Sequence, residues 1–166
     1  MSAATVGAYY MARQTTQSPD PLNDRAQVRI FTVADYVAEE PSGKLYISGS
    51  GLEWVGLPAH PGVLPAFYLA IRLAFPMTVA KPRHVVEIRA LDADGNPAGY
   101  DPLLQAEMQF DLERAPKTAT EMSGNLPVQV TDYPITIQPD AVIFLHLLVD
   151  GTLISRLPVQ LWPVDS

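Results

Sequence analysis

Residues 141–162 read AVIFLHLLV, then DG, then TLISRLPVQLW: two apolar runs joined by an Asp-Gly pair. Asp150-Gly151 between such runs is the strongest short-range marker of a β-hairpin, because glycine accepts the positive φ that a tight turn requires. The first run contains no charged residue. This stretch therefore predicts a hairpin on which the rest of the fold is packed.

The register of the hairpin has two solutions. A two-residue loop at Asp150 and Gly151 pairs Leu145 with Arg156, whereas a bulge at Gly151 slips the register by one residue. We favour the bulge, because it makes one face aliphatic apart from Ser155. That face would hold Ile143, Leu145, Leu147, Val149, Leu153, Leu157, Val159 and Leu161.

The opposite face of the hairpin is mixed in character. It carries Phe144, His146, Leu148, Ile154, Arg156 and Gln160. An apolar strand left uncovered tends to aggregate. We therefore expect a second layer or another subunit to cover part of this face, with Phe144 and Leu148 as interface residues.

Composition limits the classes of protein to be considered. The chain has 166 residues, enough for one self-sufficient domain, and no cysteine, which excludes disulfides and thiolate sites. The net charge of -7 disfavours nucleic acid as a partner. Prolines interrupt the longest uncharged run, residues 54–71, so membrane insertion is not expected. With no recognisable leader, we expect a cytoplasmic protein.

The chain divides into an arm and a domain. Residues 1–25 are polar and turn-rich and read as an N-terminal arm, in which Tyr9 and Tyr10 are interface candidates. Residues 26–166 alternate short apolar strands with proline and glycine turns. This pattern predicts an all-β fold, an antiparallel β-sandwich of about eight strands, with a β-barrel as the alternative.

Two segments set the expected strand limits. Residues 67–75 alternate in polarity and predict a half-buried strand, although Pro65 could also open a helix there. Residues 103–113 show the clearest alternation and predict a strand with one solvated face. We expect residues 115–125 to form a loop.

One turn resembles part of a cation site. Asp92, Asp94 and Asn96 have the one-three-five oxygen spacing of a calcium loop, but the sixth and twelfth positions hold Pro97 and Leu103 instead of glycine and glutamate. We therefore interpret the segment as a hairpin turn and predict no metal site.

No arrangement of residues indicates catalysis. Gly49-Ser50-Gly51 lacks the flanking pattern of a nucleophile elbow, and the three histidines of the chain have no short spacing between them. A bulge or a close backbone approach explains the two glycines better. We expect neither an enzyme nor a bound cofactor.

Exposed aromatic residues are the remaining site candidates. Trp54 and Tyr36 could bind a small ligand or a carbohydrate, and Trp162, Tyr9 and Tyr10 could join them in a sugar or peptide site. The same residues would serve equally as core or interface aromatics.

Several short motifs resemble a known family. They are Ala34-Asp35-Tyr36, the run from Gly43 to Gly49 with Trp54 after it, and Arg83-His84 with the turn from Asp92 to Gly95. Together they are similar to an uncharacterised family of small bacterial proteins. The resemblance spans most of the chain from Ala26 to Val164. It implies a β-sandwich without an assigned activity, so it carries no functional residue to this chain.

The sequence therefore predicts a non-enzymatic interaction or assembly protein. We expect it to associate with copies of itself or with another protein, through a sheet face and the N-terminal arm. A ligand-binding or carbohydrate-binding module that uses Trp54 is the alternative.

Overall fold

The computed structural model describes residues 4–7, 25–57, 62–137 and 141–163. These ranges contain thirteen β-strands and no helix. The strands are β1 (Ala4–Gly7), β2 (Gln27–Ala34), β3 (Tyr36–Glu39), β4 (Leu45–Ser48), β5 (Trp54–Leu57), β6 (Gly62–Val63), β7 (Phe67–Pro76), β8 (Arg83–Leu91), β9 (Leu104–Gln109), β10 (Glu121–Val130), β11 (Pro134–Ile135), β12 (Val142–Val149) and β13 (Thr152–Pro163).

Two main sheets enclose one hydrophobic core. The first has six strands in the order β1-β9-β8-β12-β13-β5, and the second has three in the order β10-β7-β2. Leu69 and Ile71 of the second sheet belong to the same buried cluster as Ile88, Leu145 and Leu161 of the first. The predicted all-β sandwich is confirmed.

The β12–β13 hairpin lies inside the larger sheet, between β8 and β5. Its favoured register is confirmed over most of its length, since Ile143 pairs with Val159 and Leu145 with Leu157. The bulge, however, lies on β13 at Ile154, opposite the step from Leu147 to Leu148, and the turn itself is a two-residue loop in which Val149 pairs with Thr152.

The predicted placement of Leu153 on the aliphatic face is wrong. Because the bulge comes after Leu153 on β13, that residue keeps the register of the two-residue loop and pairs with Leu148. It is 44% exposed, whereas Leu161 is fully buried.

Strand β7 is the middle strand of the second sheet, paired with β10 and β2, so the helical alternative for this segment is wrong. Phe67, Leu69 and Leu73 face the core, but Ala70 on the other side of β7 is also fully buried. The hairpin β3–β4, which we call the roof hairpin, covers that side and packs Val37 against Ala34 and Ala70.

Two predicted strand limits are wrong. Strand β9 ends at Gln109, four residues before the predicted limit at residue 113, and Asp111 to Arg114 form a turn. The segment predicted as a loop contributes the first half of β10, Glu121 to Asn125. Serine, glycine and asparagine at positions 123–125 have low strand propensity. Pairing of this segment with β7 overrides that propensity.

Both edge strands of the six-stranded sheet are parallel to their neighbours. Strand β1 runs parallel to β9, and β5 runs parallel to β13 over Gln160 to Pro163. Residues 4–7 of the predicted arm thus lie beside a strand of the chain's own domain. Tyr9 and Tyr10 lie outside the described residues.

Within the described ranges, we find no helix that is long and apolar enough to cross a membrane.

Candidate functional site

The outer face of the six-stranded sheet collects most of the predicted site residues. Side chains at even positions of β12 point outward there, because Ile143, Leu145 and Leu147 point into the core. Cross-strand pairing places Phe144 between Leu91 and Pro158, and His146 between Arg89 and Arg156. We call this surface the open face.

A groove opens at the β5 end of the open face. It has a volume of about 870 Å³ and is lined by Thr32, Gly51, Leu52, Glu53, Trp54, Val142, Leu157, Pro158, Gln160 and Trp162. Trp54 and Trp162 are each 56% exposed. The groove thus brings together the two tryptophans of the chain, which lie on the parallel pair β5 and β13.

The second wall of the groove is the segment that leads into β5. The Gly51 N–H donates to the Val33 carbonyl and to Thr32 Oγ1, each at 3.2 Å, and the Gln160 N–H donates to the Glu53 carbonyl at 2.8 Å. Gly49 turns the chain toward this segment with a φ of 62°, and a Cβ there would lie 2.0 Å from Asp35 Oδ2. The expected close backbone approach in Gly49-Ser50-Gly51 therefore occurs at Gly49.

Arg156 is held in place beside the groove. Its Nε–H donates to His146 Nε2 at 3.1 Å, and its guanidinium carbon lies 5.0 Å from the centre of the Phe144 ring. Burial, and then the charge of Arg156, hold the pKa of His146 below its usual 6.5. A neutral His146 is the form that can accept this hydrogen bond.

A second cavity of about 510 Å³ lies at the turn of the β12–β13 hairpin. It contains His84, which is only 3% exposed and stacks on Phe75 with ring centres 4.1 Å apart. Asp150 Oδ2 lies 2.8 Å from His84 Nδ1, while Nε2 is 3.0 Å from the Lys81 backbone N–H. Both ring nitrogens are therefore occupied, and neither is placed to take a proton from a substrate.

Asp150 fastens the hairpin turn to β8. Its Oδ1 accepts the Val85 N–H at 2.9 Å, and its own N–H donates to the Val85 carbonyl at 2.8 Å. Burial opposes ionisation, but the bonds from Val85 and His84 and the charge of Lys81 outweigh it and lower the pKa of Asp150. The His84–Asp150 pair therefore helps to hold the hairpin turn against β8.

A model of a known protein family matches residues 29–161. The chain belongs to DUF6941, a family of unknown function. The match includes Trp54, Phe144 and Arg156 and ends one residue before Trp162. No curated protein matches this DUF6941 chain.

The structure separates two of the predicted ligand residues. Trp54 lies in the groove, but Tyr36 lies on the roof hairpin, where its ring meets Tyr68 edge-on with centres 5.4 Å apart. Phe144, predicted for a different role, shares the open face with Trp54. Phe144 and Leu148 are both half-buried by their neighbours on that face.

Arg156, Pro158 and Glu53 were not predicted as site residues from the sequence. Arg156 and Pro158 follow from the favoured register, which places both on the side of β13 that carries Gln160. Glu53 carried no such signal, since its place in the groove depends on the parallel pairing of β5 with β13.

In the acidic turn after β8, backbone N–H groups of the turn itself bind the Asp92 carboxylate. Asp92 Oδ1 accepts the N–H groups of Asp94 and Asn96 at 2.9 and 2.8 Å, and the two Asn96 bonds, backbone first and side chain second, lower the pKa of Asp92. In the part of the chain that the structure describes, no three histidine or acidic residues cluster as a metal site would require.

Proposed function

We propose that this protein is a non-enzymatic cytoplasmic binding protein that takes up an extended segment of a partner protein in the groove beside β13. The observation that supports this function is the pair of exposed tryptophans, Trp54 and Trp162, around one concave surface. Single exposed aromatics are ordinary, but two that flank an apolar groove are typical of a contact site, where tryptophan contributes much of the binding energy.

The backbone of β13 favours an extended peptide as the ligand. Strand β5 covers only Gln160 to Pro163, and the Gln160 N–H points toward β5. Because N–H groups alternate along a strand, the N–H and carbonyl of Arg156 point the same way, beyond the end of β5. A peptide strand in the groove could therefore pair with this edge.

The polar side chains of the groove favour a carbohydrate less. Thr32 Oγ1 already donates to the Val33 carbonyl and accepts from Gly51, and Gln160 Nε2 donates to the Leu161 carbonyl. A sugar needs a partner for most of its hydroxyls, because a buried polar group without one is costly. The apolar wall of Leu52, Leu157 and Pro158 suits side chains of a protein.

The test begins with selection of binders from a display library of random 12-residue peptides. The two tryptophans are the whole indole content of the chain, so their fluorescence reports on the groove alone. We expect the selected peptides to shift the emission to shorter wavelength and to bind at least tenfold more weakly to Trp54→Ala or Trp162→Ala.

Tyr36→Ala is the matched control, since Tyr36 is similarly exposed, at 52%, but lies on the roof hairpin. Its affinity should equal that of the wild type. Selected peptides that bind both tryptophan variants as tightly as the wild type would contradict the proposal. Light scattering on the intact chain tests the other form of assembly expected from the sequence, in which a second copy is the partner.

A further inference from the structure

We infer that Arg156 is the specificity-determining residue of the groove and that it selects partner segments with a carboxylate side chain. This inference rests on the proposed function and names the chemistry that the groove recognises. Its basis is an arginine that is positioned by neutral groups and forms no ion pair within the described ranges.

The contrast with the other arginines supports this assignment. Four other arginines of the described ranges form ion pairs with carboxylates, namely Arg29, Arg83, Arg89 and Arg114. Arg25 and Arg72 share with Arg156 the lack of an ion pair in those ranges, but neither lies on β13. Arg156 has the His146 ring nitrogen and the Phe144 ring as its neighbours instead. In a chain with 18 acidic and 11 basic residues, a cation without a carboxylate is available to a ligand.

The contacts of Arg156 also fix which of its atoms are free. The Nε–H is used by His146, and the guanidinium carbon lies over the Phe144 ring. The two terminal nitrogens have no acceptor in the described chain. These two nitrogens present parallel N–H groups at the separation of the two oxygens of a carboxylate. Because the side chain is already ordered, a ligand loses less entropy in binding it.

The surrounding charges set the orientation of a bound segment along the groove. Arg89, in the same cross-strand row, is neutralised by Glu87 and Asp101. Glu53 lines the groove at the Trp54 end and would repel a second carboxylate there. The acidic side chain of the ligand therefore belongs at the Arg156 end and an apolar side chain at the Trp54 end.

The register of β13 sets the distance between those two positions. Trp54 lies beside Gln160, and Arg156 is four residues earlier on the same strand. At about 3.4 Å per residue, the separation is roughly 14 Å. In an extended peptide, the acidic residue should stand about four positions from the apolar residue that contacts Trp54.

The display experiment tests this inference directly. We expect the selected peptides to share an aspartate or glutamate about four positions from an apolar residue. One such peptide and its amide twin, with asparagine or glutamine in place of the acid, are then titrated into the wild type and Arg156→Gln. The wild type should prefer the acidic peptide at least tenfold, and Arg156→Gln should bind both peptides alike.

Arg83→Gln is the control, because Arg83 lies on the outer side of β8 beside Glu107 and away from the groove. It should keep the preference for the acidic peptide. Equal binding of both peptides to the wild type, or an unchanged preference in Arg156→Gln, would overturn the inference about Arg156. If binding still depended on Trp54 in that case, the proposed function would stand. Peptides that bind without any dependence on Trp54 would overturn both.

Discussion

The two outer faces of the sandwich differ in the size of their side chains. The second sheet presents Ala34 and Ala70 outward, and the roof hairpin packs on them with Val37. The six-stranded sheet presents Phe144, Pro158 and Trp54 outward and carries no such cover in the described chain. Small side chains let a covering backbone approach closely, whereas bulky ones leave a textured surface that a ligand can contact. The contrast therefore marks one face as structural and the other as the contact surface.

Asn125 anchors the roof hairpin to β10. Its Nδ2 donates to Glu39 Oε1 at 2.8 Å and to the Gly43 carbonyl at 2.9 Å, and its side chain is almost fully buried. Because both partners are acceptors, this position requires a donor. Among the described residues, the open face has no equivalent buried polar anchor, so the two faces should respond differently to the same chemical change.

The largest expected effect is that of Asn125→Asp. At neutral pH the new carboxylate would face Glu39 and the Gly43 carbonyl without a proton to donate, and the free energy of unfolding should fall by about 3 kcal/mol. Urea denaturation measures this loss. The burial raises the pKa of the new group, so part of the loss should be recovered as the pH is lowered toward 5.

The matched change on the open face is Gln160→Glu, again an amide replaced by an acid. Its cost should stay below about 1 kcal/mol, since Gln160 is only half-buried. Equal losses at the two positions would show that the two faces are not distinct.

A smaller effect is expected from Ala70→Leu. The added carbons have no space between β7 and the roof hairpin, because Ala70 is fully buried against Val37. Overpacking of this kind costs about 1–3 kcal/mol. Val142→Leu adds a carbon on the open face and should change the midpoint of urea denaturation little. A loss of stability as large as that of Ala70→Leu would contradict the distinction between the two faces.

The smallest effect concerns His146. Since the folded pKa lies below the ordinary 6.5, the unfolded chain takes up the proton first. Stability from this group is therefore present above pH 6.5 and is lost as the pH falls through that value toward the folded pKa. His146→Gln should flatten this part of the stability profile, measured by urea denaturation between pH 7.5 and pH 5. A profile that is identical in the variant would show that His146 titrates normally.

The sequence predicted the hairpin because the evidence for it is local. The Asp-Gly turn and the aliphatic positions Ile143, Leu145 and Leu147 lie within a few residues of one another, and the core selects the register that buries them. Strand β7 could be predicted for the same reason. Leu153 was misplaced because a bulge can occupy either of two sites with the same final register.

The roof hairpin and the groove could not be predicted in this way. Nothing in Ala34 or Ala70 reveals that a second layer covers them, since small residues suit exposed and buried positions alike. Trp54 and Trp162 are far apart in the chain and meet only through a parallel pair at the edge of the sheet. Parallel pairing leaves no turn signal, because its two strands are joined by a long connection.

The place of the β12–β13 hairpin in the larger sheet has a consequence for synthesis on the ribosome. Strands β2, β7 and β10 all precede residue 131, so the three-stranded sheet with its roof hairpin can form while the chain is still growing. The six-stranded sheet cannot, because β12 and β13 are made last and lie between β8 and β5. Until they emerge, the apolar faces of β8 and β5 lack their partners, and a chain that stops before residue 141 leaves them exposed to aggregation.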